Sequence, residues 1–393
     1  MSSVSMCCKK WAVVLVGAVM GMNSYSQSAA SEPSLIERVF QLEKKNDLLN
    51  VSLNMHGSYD APFGYESSGM DESSFKMQQL RLNVQGKVND RISYRWRQRL
   101  NRPNNGAGAI DNVSSAIDYA AISLKLNDKW SMCVGRQVAV HGGVEYDLNP
   151  IEVIEFSDMV NNLTAFMTGV NVAYRLSADH LLQFQVLDHR NGTFEDSYGL
   201  NLEKAKLPLL CILSWNGKFL DGRYSTCWSA SYSSQAKGKY MAYVALGNRI
   251  QFTKKLGMYL DLMHSYEQLD SKRYLTDIVG LQNMHVAPSA MYNSVVARLN
   301  YRITDAWNLF VKGMWETTSA VKNSAGFERG HYRTSYGYIG GVEYYPLKDS
   351  DLHFYASFVG RSYRYAQRAK AFGVSDDDTQ RLQLGFIYQL PIF

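Results

Sequence analysis

The chain has 393 residues, of which 46% are hydrophobic and 12% aromatic, with a formal net charge of +5. Beyond Met22 no apolar run is long enough for a helix to span a bilayer, so a helical membrane protein is excluded. Eight prolines, 29 glycines and 26 tyrosines, with no heptad array or long low-complexity tract, suit one large domain built from many strands.

The opening residues read as an export signal over 1–26: Lys9 and Lys10 form a charged start, 11–22 is a short apolar run, and small residues follow. Ser24 and Ser26 place cleavage after Ser26, with Ala30 as the alternative. Cys7 and Cys8 leave with the signal, and Cys133, Cys211 and Cys227 are an odd set without C-x-x-C spacing, so neither a disulfide framework nor a zinc site is indicated. Residues 27–48 form a periplasmic helix or linker. Leu35, Val39 and Leu42 repeat at four-three spacing and Asn46 falls on the next core position, the pattern of a short oligomerising coiled coil or of a solvated helix.

Residues 49–393 read as a barrel. Sixteen alternating segments follow one another, at 49–60, 75–88, 92–101, 116–126, 130–137, 165–176, 181–188, 208–219, 224–234, 239–252, 256–265, 292–303, 307–317, 332–345, 352–363 and 381–390. The number is even, and most segments approach the 9 to 11 residues that a tilted strand needs to cross an outer membrane. Connections alternate short and long: 89–91, 127–129, 177–180, 220–223, 253–255, 304–306 and 346–351 are short, whereas 61–74, 138–164, 189–207, 266–291 and 364–380 are long. The one short member of the long set is 235–238. Short periplasmic turns and long outer loops are the wiring of an outer-membrane barrel, and a β-sandwich has no reason to sort its loops this way.

Side-chain alternation separates an oily face from a mostly wet one. Leu80, Leu82, Val84, Gly86 and Val88 share one face and Gln79, Arg81, Asn83, Gln85 and Lys87 the other. After the turn Asn89-Asp90-Arg91, Arg95, Arg97 and Arg99 continue the wet face. That turn sets Arg81 opposite Arg99, a like-charge pair that destabilises unless something compensates it. Arg81, Arg95, Arg97 and Arg99 are therefore expected as a lumen-facing basic ladder. Residues two apart rise about 6.8 Å along a strand, or roughly 5 Å along the axis at a tilt near 40°, so an anion could pass between guanidiniums without losing contact.

The third outer loop, 138–164, carries the dense acidic set Glu145, Asp147, Glu152, Glu155 and Asp158. Gly142 and Gly143 would permit a sharp bend inward, and Ile151, Val153, Ile154 and Phe156 could pack a helical turn on a wall. An acidic loop facing a basic wall makes a field across a narrow waist. Equally, the five carboxylates could serve to satisfy the four arginines. Trp130, Tyr174, Trp307 and Tyr344 fall beside short turns where an aromatic girdle would sit, and the end of the chain, with Gln383, Gly385, Tyr388, Leu390 and Phe393, is similar to the closing strand of outer-membrane barrels.

Val134-Gly135-Arg136-Gln137, Gly142-Gly143, Asn149-Pro150, Trp215-Asn216-Gly217 and Asp221-Gly222 resemble the phosphate-selective porin O and P family of Bacteroidetes-type bacteria. The resemblance covers nearly the whole mature chain. It implies an all-β, sixteen-stranded antiparallel transmembrane barrel in the outer membrane, a homotrimer, with its third outer loop folded inward. The expected function is passive diffusion of small hydrophilic solutes, with anions favoured and phosphate among them. Expected partners are outer-membrane lipid, lipopolysaccharide and the permeating solutes, without nucleic acid, cofactor or metal. A substrate-specific channel or receptor for a sugar or peptide is the rival from a binding class. A barrel hydrolase is the rival from an enzyme class, but His141-Gly142-Gly143 is followed by Val144 instead of a third glycine, and no G-x-S-x-G elbow exists.

Overall fold

The computed structural model describes residues 48–63, 73–102, 113–189, 194–281, 286–324 and 326–392. The expected signal over 1–26 and almost all of the helical pattern of 27–48 lie outside the described residues.

Sixteen antiparallel strands close into one barrel, each bonded to its sequence neighbours and β16 to β1. They are β1 (Asn50–Phe63), β2 (Ser74–Asn89), β3 (Ile92–Arg99), β4 (Ile117–Lys125), β5 (Trp130–Val138), β6 (Phe166–Arg175), β7 (His180–Asp188) and β8 (Leu209–Phe219). The second half comprises β9 (Tyr224–Ala236), β10 (Lys239–Gln251), β11 (Leu256–Leu269), β12 (Pro288–Arg302), β13 (Trp307–Ala320), β14 (Gly330–Tyr344), β15 (His353–Tyr365) and β16 (Asp377–Pro391). Closure leaves no unpaired edge, which is what lets strands cross a hydrocarbon layer.

Exposure identifies the outer face. Leu213, Val311 and Leu384 are 57–59% exposed, while Asn54, Arg81, Gln185, Asp261 and Glu316 on the other face are almost completely covered. Large apolar side chains thus point outward to lipid and polar ones inward. Near the short turns Trp130 stacks beside Tyr174 and Trp307 beside Tyr344, both at 4.5 Å between ring centroids. Each is a directly opposed pair on adjacent strands. Trp215, Phe219, Tyr224 and Trp228 extend the same band.

Several strands run further toward the long-loop end than alternation alone indicates. β11 continues to Leu269, β12 begins at Pro288 and β16 at Asp377. The reason is chemical: above the lipid both faces of these strands meet polar groups or other loops, so the period-two pattern fades while pairing continues. The first hairpin keeps the expected register, Arg81 opposite Arg99, but its tip is a two-residue turn between the paired Asn89 and Ile92, with the register shift falling at Val88.

The inner face is wet over only part of the circumference. On β10 to β15 it carries Tyr243, Tyr259, Met263, Val296, Phe310, Met314, Ile339 and Val359, which form one apolar cluster with loop residues Val144, Met159, Val160, Leu275, Ile278 and Val279. Most of the loop packing comes from 139–165 after β5 and from 270–281 after β11, which sequence patterning did not mark as inward, with Phe327 and Ala369 added from the loops after β13 and β15.

Candidate functional site: the lumen and its two walls

The third loop leaves β5 held by Gln185. Its amide donates to the Val138 carbonyl at 2.9 Å and its carbonyl accepts from the Val140 N–H at 2.8 Å. The chain then turns at Gly142 and Gly143, whose φ values of 71° and 88° are left-handed. A Cβ on Gly142 would lie 2.8 Å from the Ser229 hydroxyl oxygen, so only glycine brings the loop so close to β9. Gly247 is the matching gap in β10, where a Cβ would lie 2.7 Å from the Val144 nitrogen.

Two short helices follow, α1 (Val144–Asp147) and α2 (Asp158–Asn161), with a 3-10 turn at Pro150–Glu152 between them. The first turn of a helix has N–H groups without intrahelical partners, and here the barrel wall accepts from them. Asp261 of β11 accepts from the Val144 and Glu145 N–H groups at 2.6 and 2.8 Å. Glu316 of β13 accepts from those of Asp158 and Met159 at 2.8 and 2.9 Å. Ser157 caps α2, accepting from Val160 N–H at 3.3 Å and donating to Glu145 at 2.6 Å.

The loop acids meet a wall of bases. Glu145 pairs with Lys312, and both are buried. Asp158 pairs with Arg333 at 2.7 Å and Arg361 at 2.9 Å. Glu155 pairs with Arg381 at 2.5 Å and Arg361 at 3.4 Å. Lys312 also donates to the Glu155 carbonyl at 2.6 Å and Arg361 to that of Phe156 at 3.0 Å. Each charge is thus both paired and hydrogen-bonded, the condition under which buried ions are tolerated. Asp147 faces a small cleft with Asp179, Lys218 and Arg249, and Glu152 lies in the 3-10 turn.

That turn fixes the loop's path. Asn149 donates to Gln389 of β16 at 3.2 Å, and Ile151 packs on Tyr355 and Ile387. α1 lies against β10 and β11, the 3-10 turn against β1, β2 and β16. In a ring of sixteen, β10 and β2 are diametrically opposed. The chain between them therefore crosses the lumen. On its β11 to β16 side the space holds the ion pairs and the apolar cluster. The second loop adds to that filling through α3 (Tyr274–Ile278), whose Leu275 is fully buried and whose Tyr274 hydroxyl donates to the Asp158 carbonyl at 3.3 Å.

The four arginines of β2 and β3 line the opposite wall, and three of them meet a carboxylate of the sheet itself. Their carboxylate is Asp118 of β4, which sits 3.1 Å from Arg81, 3.0 Å from Arg97 and 2.8 Å from Arg99. Arg95 donates to Asn83 at 2.9 Å and lies 4.2 Å above the Tyr119 ring. Arg97 lies over Tyr119 and Phe166, at 4.8 and 5.2 Å. Strict alternation would put Asp118 and Tyr119 on opposite faces. A register shift that pairs Arg97 with Tyr119 and Gln98 with Ile117 leaves Asp118 as an extra residue. A β-bulge re-aims such a residue, so both neighbours turn inward. Among the described residues one carboxylate faces three guanidiniums, so this wall carries more bases than acids.

His141 is a loop-root residue. Burial pushes its pKa down to about 3, so it is neutral, and its ring meets Tyr146 and Tyr243 edge-on. Ser229 donates to the His141 carbonyl, away from the ring nitrogens. The two form no nucleophile-base pair.

The family described as phosphate-selective porin O and P matches residues 49–390, and the chain belongs to it. It is an outer-membrane porin, a passive channel of the bacterial outer membrane. No curated protein matches the sequence. Among solved structures, the chain is similar to the outer membrane channel DcaP of Acinetobacter baumannii, at 12% identity and a TM-score of 0.59, over 87% of this chain and 97% of that one. OmpT of Vibrio cholerae is similar at 11% identity and 0.55, over 89% and 99%. An anion-selective porin from Comamonas acidovorans is similar at 10% and 0.52, over 87% and 98%. These likenesses are of fold.

Proposed function

We propose that solutes cross this porin on the arginine side of the third loop and that the path favours anions. The observation that carries this reading is the charge balance of β2 to β4: Arg81, Arg97 and Arg99 share the single carboxylate of Asp118, with Arg95 beside them. Guanidiniums fork onto oxyanions, so phosphate and carboxylate-bearing solutes fit the same wall. The loop with Glu145, Asp147, Glu152, Glu155 and Asp158 narrows the lumen, Gly142 and Gly143 serving as its bend. Its acids are mostly turned to the far wall, which leaves the arginines to set the sign of selectivity.

The test is a reversal potential across a planar bilayer in a KCl gradient, repeated with chloride replaced by phosphate. Anion preference in both salts supports the reading; cation preference in both removes it. A hydrolase is disfavoured by the orientation of Ser229 toward the His141 backbone. A homotrimer is supported by likeness to a V. cholerae OmpT structure described as a trimer form, at 12% identity and a TM-score of 0.52, over 87% of this chain and all of that one. Crosslinking in native membranes would test it, a monomer ladder alone counting against it.

A further inference from the structure

Several glycines of the lipid-facing wall are covered by a neighbouring ring. A Cβ on Gly57 would lie 2.6 Å from the Phe386 ring and one on Gly217 3.0 Å from the His180 ring, and Tyr338 lies across Gly360 in the same way. Gly313 of β13 and Gly340 of β14 differ, since a Cβ on either would meet nothing within 4 Å. Gly313 opposes Ala297 of β12 and Tyr338 of β14, and Gly340 stands two residues along from Tyr338. The three small residues therefore adjoin one another across three strands. With Leu299, Val311, Tyr338 and Phe358 around them they leave an apolar depression of about 490 Å³ in the outer surface of the barrel. That volume lies within the ~300–1,000 Å³ range of ligand pockets.

Towards the long-loop end the same wall turns polar along one row. His264, Asn293, Thr317 and Thr334 are successive opposed residues on β11 to β14. Alternation puts them on the outward face of Leu262, Leu299, Val311 and Tyr338. His264 hydrogen-bonds Asn293 at 2.8 Å, Asn293 donates to the Thr317 hydroxyl at 3.1 Å, and Thr334 meets His331 at 2.9 Å. Thr317 and Trp307, the latter in the aromatic band near the short turns, are ten residues apart on β13. That separation is about 34 Å along the strand, or about 26 Å along the axis at a tilt near 40°. The apolar band of such a barrel is about 25 Å tall, so the polar row lies at headgroup level on the outer side. By the same rise Gly313 lies about 10 Å beneath the row, at the depth of acyl chains hanging from the outer leaflet.

We propose that the depression seats one acyl chain of lipopolysaccharide, whose amide, ester and hydroxyl groups meet the row from His264 to Thr334. The proposal rests on the outer-membrane assignment and is independent of the anion path. Depth and lining exclude a polar ligand: the walls are apolar apart from the Tyr338 hydroxyl, and Lys312, which borders the floor, turns its ammonium inward to Glu145. A flexible chain conforms to a concave surface and gains dispersion contacts there that a flat wall does not offer. Packing a second barrel on this sector would bury the polar row, which costs free energy unless each group finds a partner. A lipid head at the same height supplies partners and water together.

The probe is the lipopolysaccharide of the native membrane. Outer membranes are extracted in mild detergent, and the lipopolysaccharide carried by the purified barrel is counted by native mass spectrometry. The wild type should retain it, whereas Gly313→Val/Gly340→Val, which fills the depression with side chains suited to a strand, should retain at least about threefold less. Gly313→Ala/Gly340→Ala, two methyls placed in open space, should fall between them and replaces the valine variant where that fails to assemble. Ala120→Val, on the lipid-facing side of β4, should retain as much as the wild type. A wild-type barrel that emerges free of lipopolysaccharide, or equal retention in every variant, overturns the proposal. Loss of retained phospholipid in place of lipopolysaccharide would assign the depression to another lipid, and loss of a crosslinked oligomer with lipid unchanged would assign it to a second copy; each overturns the proposal as well. A reversal potential without anion preference would remove the arginine path and leave these outcomes as they stand.

Discussion

The two walls of the lumen use the same residue types to opposite ends. On β11 to β16 the bases Lys312, Arg333, Arg361 and Arg381 are answered by the loop carboxylates Glu145, Glu155 and Asp158, and apolar side chains seal the remainder. On β2 to β4 several guanidiniums share Asp118 within the sheet itself. A charge matched by a buried partner holds structure; charge left in surplus beside water acts on ions. Residue identity alone therefore does not separate a brace from a filter, whereas the ratio of partners does.

The largest effects should come from breaking the matched wall. Lys312→Met leaves Glu145 buried without its counter-ion, at a cost of about 3–5 kcal/mol. We expect the third loop to detach, seen as raised single-channel conductance and new protease cleavage within 144–161; unchanged conductance would mean that the loop is held by packing alone. Asp118→Asn should cost a similar about 3–5 kcal/mol in the midpoint of urea unfolding, because it leaves three guanidiniums facing one another. In the folded fraction it should strengthen anion preference, which the matched wall cannot do.

A smaller effect is expected at the helix ends. Asp261→Ala removes the acceptor of two N–H groups and should cost about 1–3 kcal/mol, with faster amide exchange at Val144 and Glu145 and an unchanged reversal potential. Exchange left as in the wild type would show that water replaces the carboxylate without penalty.

The smallest is a pH effect in the second inward loop. Burial, with the nearby Glu267 charge, raises the Asp270 pKa from 3.8 to about 6. The folded state then holds the proton more tightly than the unfolded one, so stability is greatest below about pH 4 and falls as pH rises toward 6. Amides of Leu275 to Val279 should exchange more slowly at pH 4.5 than at pH 7 after correction for intrinsic rates. The opposite order would remove Asp270 as the source.

Much of this could be read from the chain because lipid on one side and water on the other impose a strict period of two, and because short and long connections sort by membrane side. Strand count, the inward direction of Arg81, Arg95, Arg97 and Arg99, and the Arg81–Arg99 register follow from those two constraints. Asp118 was hidden, since a bulge places it beside Tyr119 against the alternation. The inner faces of β11 and β13 show Asp261 and Glu316 pointing inward, but no local pattern says that a loop helix from a distant part of the sequence will dock its N–H groups there. The second inward loop was missed for the same reason: Leu275, Ile278 and Val279 are few, and only the apolar patch on β10 to β13 explains them.

The central claim is that the unmatched wall selects ions and the matched wall does not. The most direct measurement is the reversal potential in a KCl gradient of two assembled variants, Arg95→Gln/Arg97→Gln/Arg99→Gln and the paired exchange Lys312→Met/Glu145→Gln. The account predicts that the first moves toward cation preference while the second keeps the wild-type value. A shift in the second with none in the first would contradict it.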